Sequence, residues 1–397
     1  MGVRLKSDAH PGDDLVRKSL AELEQYILSE DFAGYDPYDL LTSPVFSLPG
    51  FRANKSVRLT AQQIFRRLPL NLRPLLQIPK GHNPVTYGLC LQAFTYLPSV
   101  FPEREEIYRR EADHCIEELQ RLQSRGYSGA CWGYDFDWEA RYARLPAYTP
   151  TIIATGMIAN ALFVHYSRTG DKRAFDLCKS SASFVLHDLK RIYDGDTLCF
   201  SYSPADTQQV INATMKAARL LAQVYSVTGE NSLLDHARGT VRYVLRRQRP
   251  DGAWPYSMGD SRSWVDNFHT GYVLDCLQDY SQHADDHEVS EAIRNGIVYY
   301  KEHFFLDGGI PKYYNNAVYP LDASAAAQSI LTLVKFGFHS TAETIALWMI
   351  SNMQDPSGFF YYQKHRHYTN RISYMRWSNA WMFAALSFLL GSKNALV

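Results

Sequence analysis

Several features that mark other protein classes are missing from this 397-residue sequence. Lys and Arg together number 41, as do Asp and Glu, so the chain lacks the positive excess that nucleic-acid binding requires. No apolar run reaches ~18 residues without a polar interruption, so no membrane span is predicted. The polar segment 1–14 does not resemble a signal peptide. We therefore expect a cytoplasmic protein with no nucleic-acid partner.

Paired cysteines and cofactor motifs are also missing. The six cysteines are scattered without a CxxC pair, which predicts buried, reduced thiols rather than disulfides. His365-Arg366-His367 has no second group at metal-ligand spacing, so no metal site is predicted. No phosphate-binding glycine loop is present, and no cofactor is predicted.

A repeat of about 55–65 residues organises the chain. Helices rich in small and apolar residues are predicted to begin near six positions, and each follows a charged, amphipathic helix. These positions are Pro84, Pro150, Ile211, Asn267, Ala323 and Trp377. The repeating unit is therefore a helical hairpin.

The two helices of each hairpin differ in polarity. One has a charged face, as a surface helix should, while the other is apolar nearly all round and must be covered on every side. Six inner helices inside six outer ones satisfy both patterns, which predicts an all-α, (α/α)6 toroid; an open solenoid is the alternative. We expect one domain over 1–397, with the proline-rich segment 40–82 as an irregular excursion over one face.

Aromatic and polar residues concentrate in the loops that lead into the inner helices. Aromatic faces stack on sugar rings, and interspersed polar groups fix their orientation. Trp254 fits turn packing equally well, and Arg376 also fits a salt bridge within the rim. The predicted substrate-binding residues are Trp132, Tyr134, Trp138, Tyr148, Asn212, Trp254, Asn267, Tyr314, Arg376, Trp377 and Asn379.

Two groups of residues are candidates for catalysis. Asp135 and Asp137 lie in a Gly/aromatic turn and could form the carboxylate pair of a glycosidase, although such residues also serve as turn formers. Asp266 and His269 begin an inner helix, and His is the natural acid or base near neutral pH. His269 also fits a purely structural hydrogen bond.

Some stretches resemble known families. Gln248-x-x-x-Gly252-x-Trp254 resembles the QW repeat of terpene cyclases, but their acidic motif is missing, because Trp138 follows Asp135-Phe136-Asp137. A closer resemblance is to the bacterial VpsJ-like polysaccharide biosynthesis proteins. It is carried by 132–138, 148–150, 210–213, 248–256, 266–270 and Arg376-Trp377. The resemblance implies a fold similar to six-hairpin glycosidases, polysaccharide lyases and uronyl C5-epimerases, in a bacterial glycan pathway.

These observations favour a carbohydrate-active enzyme whose substrate is a polysaccharide or oligosaccharide, with acidic sugars among the candidates. Proton abstraction beside a uronic carboxylate is the preferred mechanism. His269 or a rim tyrosine would be the base, and Asn267 and Arg376 would neutralise the carboxylate. Hydrolysis by Asp135 or Asp137, a non-catalytic glycan-binding or scaffold protein, and an isoprenoid cyclase are the alternatives. The oligomeric state is left open.

Overall fold

A computed structural model describes residues 11–141 and 143–393. Its helices are numbered in chain order. The outer helices are α1 (Pro11–Ser29), α5 (Glu105–Arg121), α7 (Lys172–His187), α9 (Asn231–Leu245), α11 (Ser290–His303) and α13 (His339–Met353). The inner helices are α4 (Pro84–Val100), α6 (Ile152–Thr169), α8 (Ile211–Thr228), α10 (Asn267–Ala284), α12 (Ala323–Lys335) and α14 (Ala380–Lys393).

The inner helices form a closed ring. Each one packs on the next, and α14 returns to pack on α4, so the predicted (α/α)6 toroid is confirmed and the open solenoid is wrong. Burial follows the polarity pattern: α8 is buried from Ile211 to Val224, whereas α5 buries only one face. Within the described residues, no helix is both long and apolar enough to cross a membrane.

The inner helices begin at a common rim, where side chains cap several of them. Asn83, Thr151, Asp266 and Asp322 each accept a hydrogen bond from a backbone N–H of the first turn. Such caps satisfy amides that have no partner within the helix. At the opposite end, α6 and α8 finish in left-handed glycines, at φ of 75° and 70°.

Two of the six predicted helix starts are displaced. Thr151, not Pro150, precedes the first residue of α6, because the Thr151 hydroxyl accepts from Ala154 N. Trp377 lies in a π-helical turn, Met375–Asn379, and α14 begins at Ala380.

The QW-like segments fasten neighbouring hairpins together. Gln248 Nε2 donates to Gly252 O (3.0 Å) and to Ala292 O of α11 (2.9 Å). Gln354 Nε2 repeats this with Gly358 O (2.9 Å) and Ser19 O of α1 (3.2 Å). The motif is therefore a structural tie between outer helices, which explains its recurrence without a cyclase activity.

Segment 40–82 lies over the rim. It contains short 3-10 helices (Asp39–Thr42 and Pro44–Ser47), then α2 (Pro49–Ala53) and α3 (Lys55–Phe65). Leu40, Phe65 and Ile78 form its own small core. Arg58 of α3 pairs with Glu139 of the rim, with Nη2 2.7 Å from Oε2.

Short antiparallel strands complete the rim and the hairpin turns. They are β1 (Trp138–Glu139), β2 (Arg144–Leu145), β3 (Arg191–Asp194), β4 (Thr197–Phe200), β5 (Gln209–Val210), β6 (Ser257–Met258), β7 (Phe305–Leu306), β8 (Ile310–Pro311), β9 (Leu321–Asp322), β10 (Tyr361–Lys364) and β11 (Thr369–Ser373). The pairs are β1–β2, β3–β4, β5–β6, β7–β8 and β9–β10–β11. The six cysteines are all free and buried.

Candidate active site

The rim encloses a cavity of about 510 Å³ on the axis of the ring. Its cover comes from α3 and the residues beside it, which supply Leu59, Gln63 and Arg66. Its wall includes Trp138 and Glu139 of strand β1. Segment 40–82 is therefore part of the site and not only an appendage to the ring.

Aromatic rings surround this cavity and contact one another. Trp138 lies 6.1 Å from Tyr38 and 6.2 Å from Tyr202, measured between ring centroids. Tyr256 stacks on Trp264 at 4.8 Å. Such a lining suits the flat faces of sugar rings.

Trp377 lines the cavity and contacts a layer of aromatic rings beneath it. Phe268 lies 4.5 Å from Tyr272, 5.3 Å from Trp381 and 5.7 Å from Trp377, again between ring centroids. Phe268, Tyr272 and Trp381 are buried and form what we call the aromatic floor. It lies between the rim cavity and a second axial cavity, which is lined by Tyr272 and Trp381. The two cavities have no lining residue in common.

Asp266 and His269 form a hydrogen-bonded pair at the wall. One Asp266 oxygen caps α10 by accepting from His269 N (2.8 Å), and the other accepts from His269 Nδ1 (2.7 Å). Trp264 Nε1 also donates to this second oxygen (3.0 Å). His269 lines the cavity, and its Nε2 has no hydrogen-bond partner among the described residues. The pair therefore holds an imidazole with one nitrogen available to a ligand.

Arg376 lies between the wall and the layer beneath it. Its Nε donates to Asp36 Oδ2 (2.6 Å), and its guanidinium lies 4.6 Å from the centre of the Tyr134 ring. Asp36 accepts a hydrogen bond only from Nε, so the two terminal nitrogens of Arg376 can still bind a ligand. Arg66 donates to the Tyr38 hydroxyl and has no carboxylate partner among the described residues.

The rim tyrosines are poor candidates for a base. Burial raises the pKa of Tyr134, and it raises those of Tyr202 and Tyr313 well above the usual value. These phenols remain protonated at neutral pH and can donate hydrogen bonds to a ligand. Of the two predicted bases, the geometry favours His269.

Asp135 and Asp137 do not line the cavity. Asp135 is half-buried beside the start of α4, where Asn83 Nδ2 donates to its Oδ1 (2.6 Å). Burial, followed by the charge of Asp36, raises the pKa of Asp135 to about 6. Asp137 Oδ1 accepts from Ala147 N (2.9 Å), which closes the β1–β2 turn. The structure therefore does not bring these two carboxylates to a common sugar site.

The predicted binding residues divide into two sets. Tyr134, Trp138, Tyr314, Arg376 and Trp377 line the rim cavity together with His269. The others lie outside it: Trp132, Tyr148, Asn212, Trp254, Asn267 and Asn379.

Most of the outlying residues have structural partners. Trp132 Nε1 donates to Leu119 O (2.8 Å), and Trp254 Nε1 donates to Val244 O (3.1 Å). Asn267 Oδ1 accepts from the Tyr300 hydroxyl (2.6 Å), and Asn379 Oδ1 accepts from Phe360 N (2.8 Å). These four hydrogen bonds hold the turns rather than a substrate. Tyr148 is 44% exposed, outside the cavity.

Sequence reasoning missed several lining residues. Tyr38, Arg66 and Glu139 reach the cavity through contacts between segments far apart in the chain. Periodicity carries no signal for such contacts. Arg262 stands two residues before Trp264 in a rim loop, and that position was an available signal. Gln208 has no aromatic residue within five positions of it in the sequence. No group of three or more His, Cys, Asp or Glu side chains within the described residues could hold a metal.

One known protein family matches this chain. A family model described as Beta-L-arabinofuranosidase, GH127 catalytic domain, matches residues 86–316, which is more than half of the chain. No match was found among curated protein sequences.

Solved structures share the fold. The cellobiose 2-epimerase of Bacillus thermoamylovorans is 14% identical, with a TM-score of 0.65, over 95% of this chain and 99% of that one. An unsaturated glucuronyl hydrolase specific for heparin is 14% identical (TM-score 0.62; 96% and 97%). The GH76 α-mannanase BT2949 of Bacteroides thetaiotaomicron is 12% identical (TM-score 0.60; 79% and 87%).

At this identity, the likeness shows the fold alone. It confirms the expected similarity in fold to six-hairpin glycosidases. The finer resemblance to the VpsJ-like family is not confirmed by these comparisons.

Proposed function

Since the chain belongs to the β-L-arabinofuranosidase GH127 catalytic-domain family and is therefore an enzyme that acts on glycans, we propose that it transfers a proton on a carboxylate-bearing sugar through His269. The observation that carries this proposal is the position of the His269 ring. It lies in an aromatic cavity, with Nδ1 bonded to the buried Asp266 carboxylate and Nε2 without a partner among the described residues. An imidazole held in this way is suited to general acid–base work.

Arginines favour an acidic sugar as the substrate. Arg66, Arg141, Arg262 and Arg376 line the cavity, whereas Glu139 is its single lining carboxylate within the described residues. Arg262 is paired with Asp260 (2.7 Å) and Glu139 with Arg58. Arg66 and the terminal nitrogens of Arg376 therefore provide the charge for a uronic carboxylate. They replace the predicted role of Asn267, whose amide faces Tyr300 and Lys312 O.

The reaction follows from this arrangement. His269 Nε2 takes the proton from the carbon next to the carboxylate, and the electron pair of the broken C–H bond moves into an enediolate that the arginines stabilise. Asp266 stabilises the imidazolium. A protonated rim tyrosine donates its proton to the opposite face to give the epimer, and the proton held by His269 passes through solvent to restore the phenol. Loss of the leaving group from the neighbouring carbon gives an unsaturated sugar.

Hydrolysis is the second candidate, and the family membership favours it. A glycosidase of the usual kind needs two carboxylates on either side of the scissile bond. Glu139 is placed to be one of them, whereas Asp135 and Asp137 lie outside the cavity. Hydrolysis would therefore rest on Glu139 together with His269.

Replacement of His269 tests the role of its ring. We expect His269→Ala to lower kcat on uronate-containing oligosaccharides by about 10²–10⁴-fold, the usual contribution of a general acid or base. His287→Ala is the matched control, because its side chain is 80% exposed in the loop that follows α10. Full activity of His269→Ala on every uronate glycan tested would overturn the proposal.

Product analysis separates the two candidates. Epimerisation in deuterated water places deuterium on the carbon beside the carboxylate, and elimination produces an unsaturated product that absorbs in the ultraviolet. A hydrolase gives neither product, and Glu139→Gln should then abolish turnover. Binding of glycans without turnover would favour a scaffold, and the four arginines that line the cavity speak against an isoprenoid substrate.

The biological setting remains part of the proposal. We place the enzyme in bacterial polysaccharide biosynthesis or modification, in the cytoplasm, on the resemblance to VpsJ-like proteins. Neighbouring genes devoted to glycan assembly would support this setting, and their absence across related genomes would count against it.

A further inference from the structure

A second cavity, of about 280 Å³, lies on the ring axis beneath the aromatic floor. All six inner helices line it, with residues one turn apart, such as Lys216, Arg219 and Gln223 on α8. It reaches the C-terminal ends of the inner helices, where Arg168 is exposed. It is therefore entered from the face opposite the rim.

The charges in this lower cavity do not balance. Asp279 accepts from Lys335 Nζ (2.7 and 2.8 Å) and lies 3.5 Å from Arg219. Asp275 accepts from Gln328 Nε2 (2.8 Å). Lys216 has neither a hydrogen bond nor an ion pair among the described residues, and its ammonium lies 3.4 Å from the centre of the Tyr272 ring.

A lysine at position 216 is energetically unfavourable in the folded protein when it has no partner. It is only 1% exposed, and burial lowers its pKa to about 7. A buried ammonium without a counter-charge destabilises a fold, because it has lost its water. Met or Leu would fill the same space without that cost. The lysine is better explained by a ligand that supplies the missing negative charge.

Other polar atoms in the lower cavity also lack partners. Arg219 Nε, Gln223 Oε1 and Asp275 Oδ1 are buried and make no hydrogen bond within the described residues. Arg219 Nε is a donor and suits an anion, as Lys216 does. The two oxygens are acceptors and suit hydroxyl groups. Buried polar atoms are ordinarily paired, so these unpaired donors and acceptors point to a ligand that carries the complementary groups.

We propose that the lower cavity binds a small, hydroxylated oxyanion: a sugar or hydroxy acid whose carboxylate or phosphate group faces Lys216 and Arg219. Its volume is near the lower end of ordinary ligand pockets, ~300 Å³, which fits a monosaccharide derivative. The hydroxyl groups donate to Gln223 and Asp275. This site is separate from the rim cavity and does not depend on the reaction proposed there.

Calorimetric titration with defined compounds tests the site. Glucose 6-phosphate and gluconate represent the phosphate and carboxylate forms, glucose lacks the charge, and inorganic phosphate lacks the carbon-bound hydroxyls. We expect at least one of the first two to bind at least tenfold more tightly than glucose and inorganic phosphate. Binding of the phosphate ester alone, or of the acid alone, identifies which oxyanion the site takes.

Variants assign the binding to the lower cavity. Lys216→Met should weaken binding at least tenfold and leave turnover of glycans unchanged, whereas Lys172→Met, on the exposed surface of α7, should change neither. Arg66→Met, in the rim cavity, should leave this binding intact. The proposal fails if neither charged compound binds the wild-type protein, if inorganic phosphate binds equally well, or if Lys216→Met binds as the wild type does.

Discussion

Asp266 caps α10 with one carboxylate oxygen and holds the His269 ring with the other. The cap could be expected from the sequence, because Asp at a helix start commonly accepts from the first turn. The second contact depends on the rotamer of a residue three positions later. One side chain thus ties a folding signal to the geometry of the proposed base.

The effect of the Asp135 carboxylate on the stability of the protein depends on pH. Its pKa of about 6 in the folded protein lies above the value of ~3.9 for an unfolded chain, so the folded state holds the proton more tightly. The ionised form therefore destabilises the protein above about pH 6, and this effect vanishes below about pH 4.

We expect Asp135→Asn to stabilise the protein by an amount on the order of 2 kcal/mol at pH 7.5 and by almost nothing at pH 4. The amide oxygen of the variant can still accept from Asn83. Denaturant unfolding at the two pH values measures the difference, and Asp137→Asn, in the same turn, is the control. Equal effects of Asp135→Asn at both pH values would contradict the assignment.

The turn that contains Asp135 also contains two tryptophans with different surroundings. Trp132 and Trp138 are six residues apart, and both were expected to contact the ligand. Trp132 points into the core and donates to Leu119 O, whereas Trp138 reaches the cavity. Residue type gives a preference for stacking, but the backbone of an irregular turn decides the direction of each ring.

At the level of elements, the alternation of polarity predicted the six hairpins and the starts of four of the six inner helices. It did so because burial on every side leaves a pattern in each inner helix separately. Segment 40–82 has no such pattern. Its position depends on pairs such as Arg58 and Glu139, which are 81 residues apart, and that information is not local.

The Arg58–Glu139 pair should control how firmly α3 covers the rim cavity. Both side chains are buried, so removing one leaves an unpaired charge, at a typical cost of about 3–5 kcal/mol. We expect Arg58→Met to speed hydrogen exchange across α3 and to raise KM, while the ring helices keep their protection. Exchange measured by mass spectrometry reports this directly.

Two further variants complete that experiment. Arg67→Met, at an exposed site beyond α3, should leave the exchange unchanged. Arg58→Met combined with Glu139→Leu should restore much of the protection, because no charge is then left unpaired. Uniform exchange in all three proteins would show that the pair does not hold the cover.

For the whole molecule, the radius of the ring depends on close contacts between inner helices. Gly156 of α6 faces Lys216 of α8 so closely that an added Cβ would lie 2.7 Å from Lys216 Cβ. Gly88 and Gly271 are in the same position against Ile158 and Gln328, at 2.9 and 2.8 Å. Neighbouring inner helices can approach each other this closely because glycine has no side chain at these positions.

We expect Gly156→Ala to destabilise the protein, against its own helix propensity. Ala is favoured over Gly inside a helix by ~1 kcal/mol, while overpacking costs about 1–3 kcal/mol. The melting temperature should therefore fall. Gly50→Ala, with no atom within 4 Å of the added Cβ, should not lower it. A rise for Gly156→Ala would mean that the ring can expand freely.

The aromatic floor decides how a long substrate can use the rim cavity. Phe268, Tyr272 and Trp381 close the axis, so a polymer cannot be threaded through the molecule from one face to the other. Only a chain end or a short branch fits, and it must back out along its own route after reaction. We therefore expect turnover to depend on the number of chain ends rather than on chain length, and the released product to compete with the next substrate for entry at the rim.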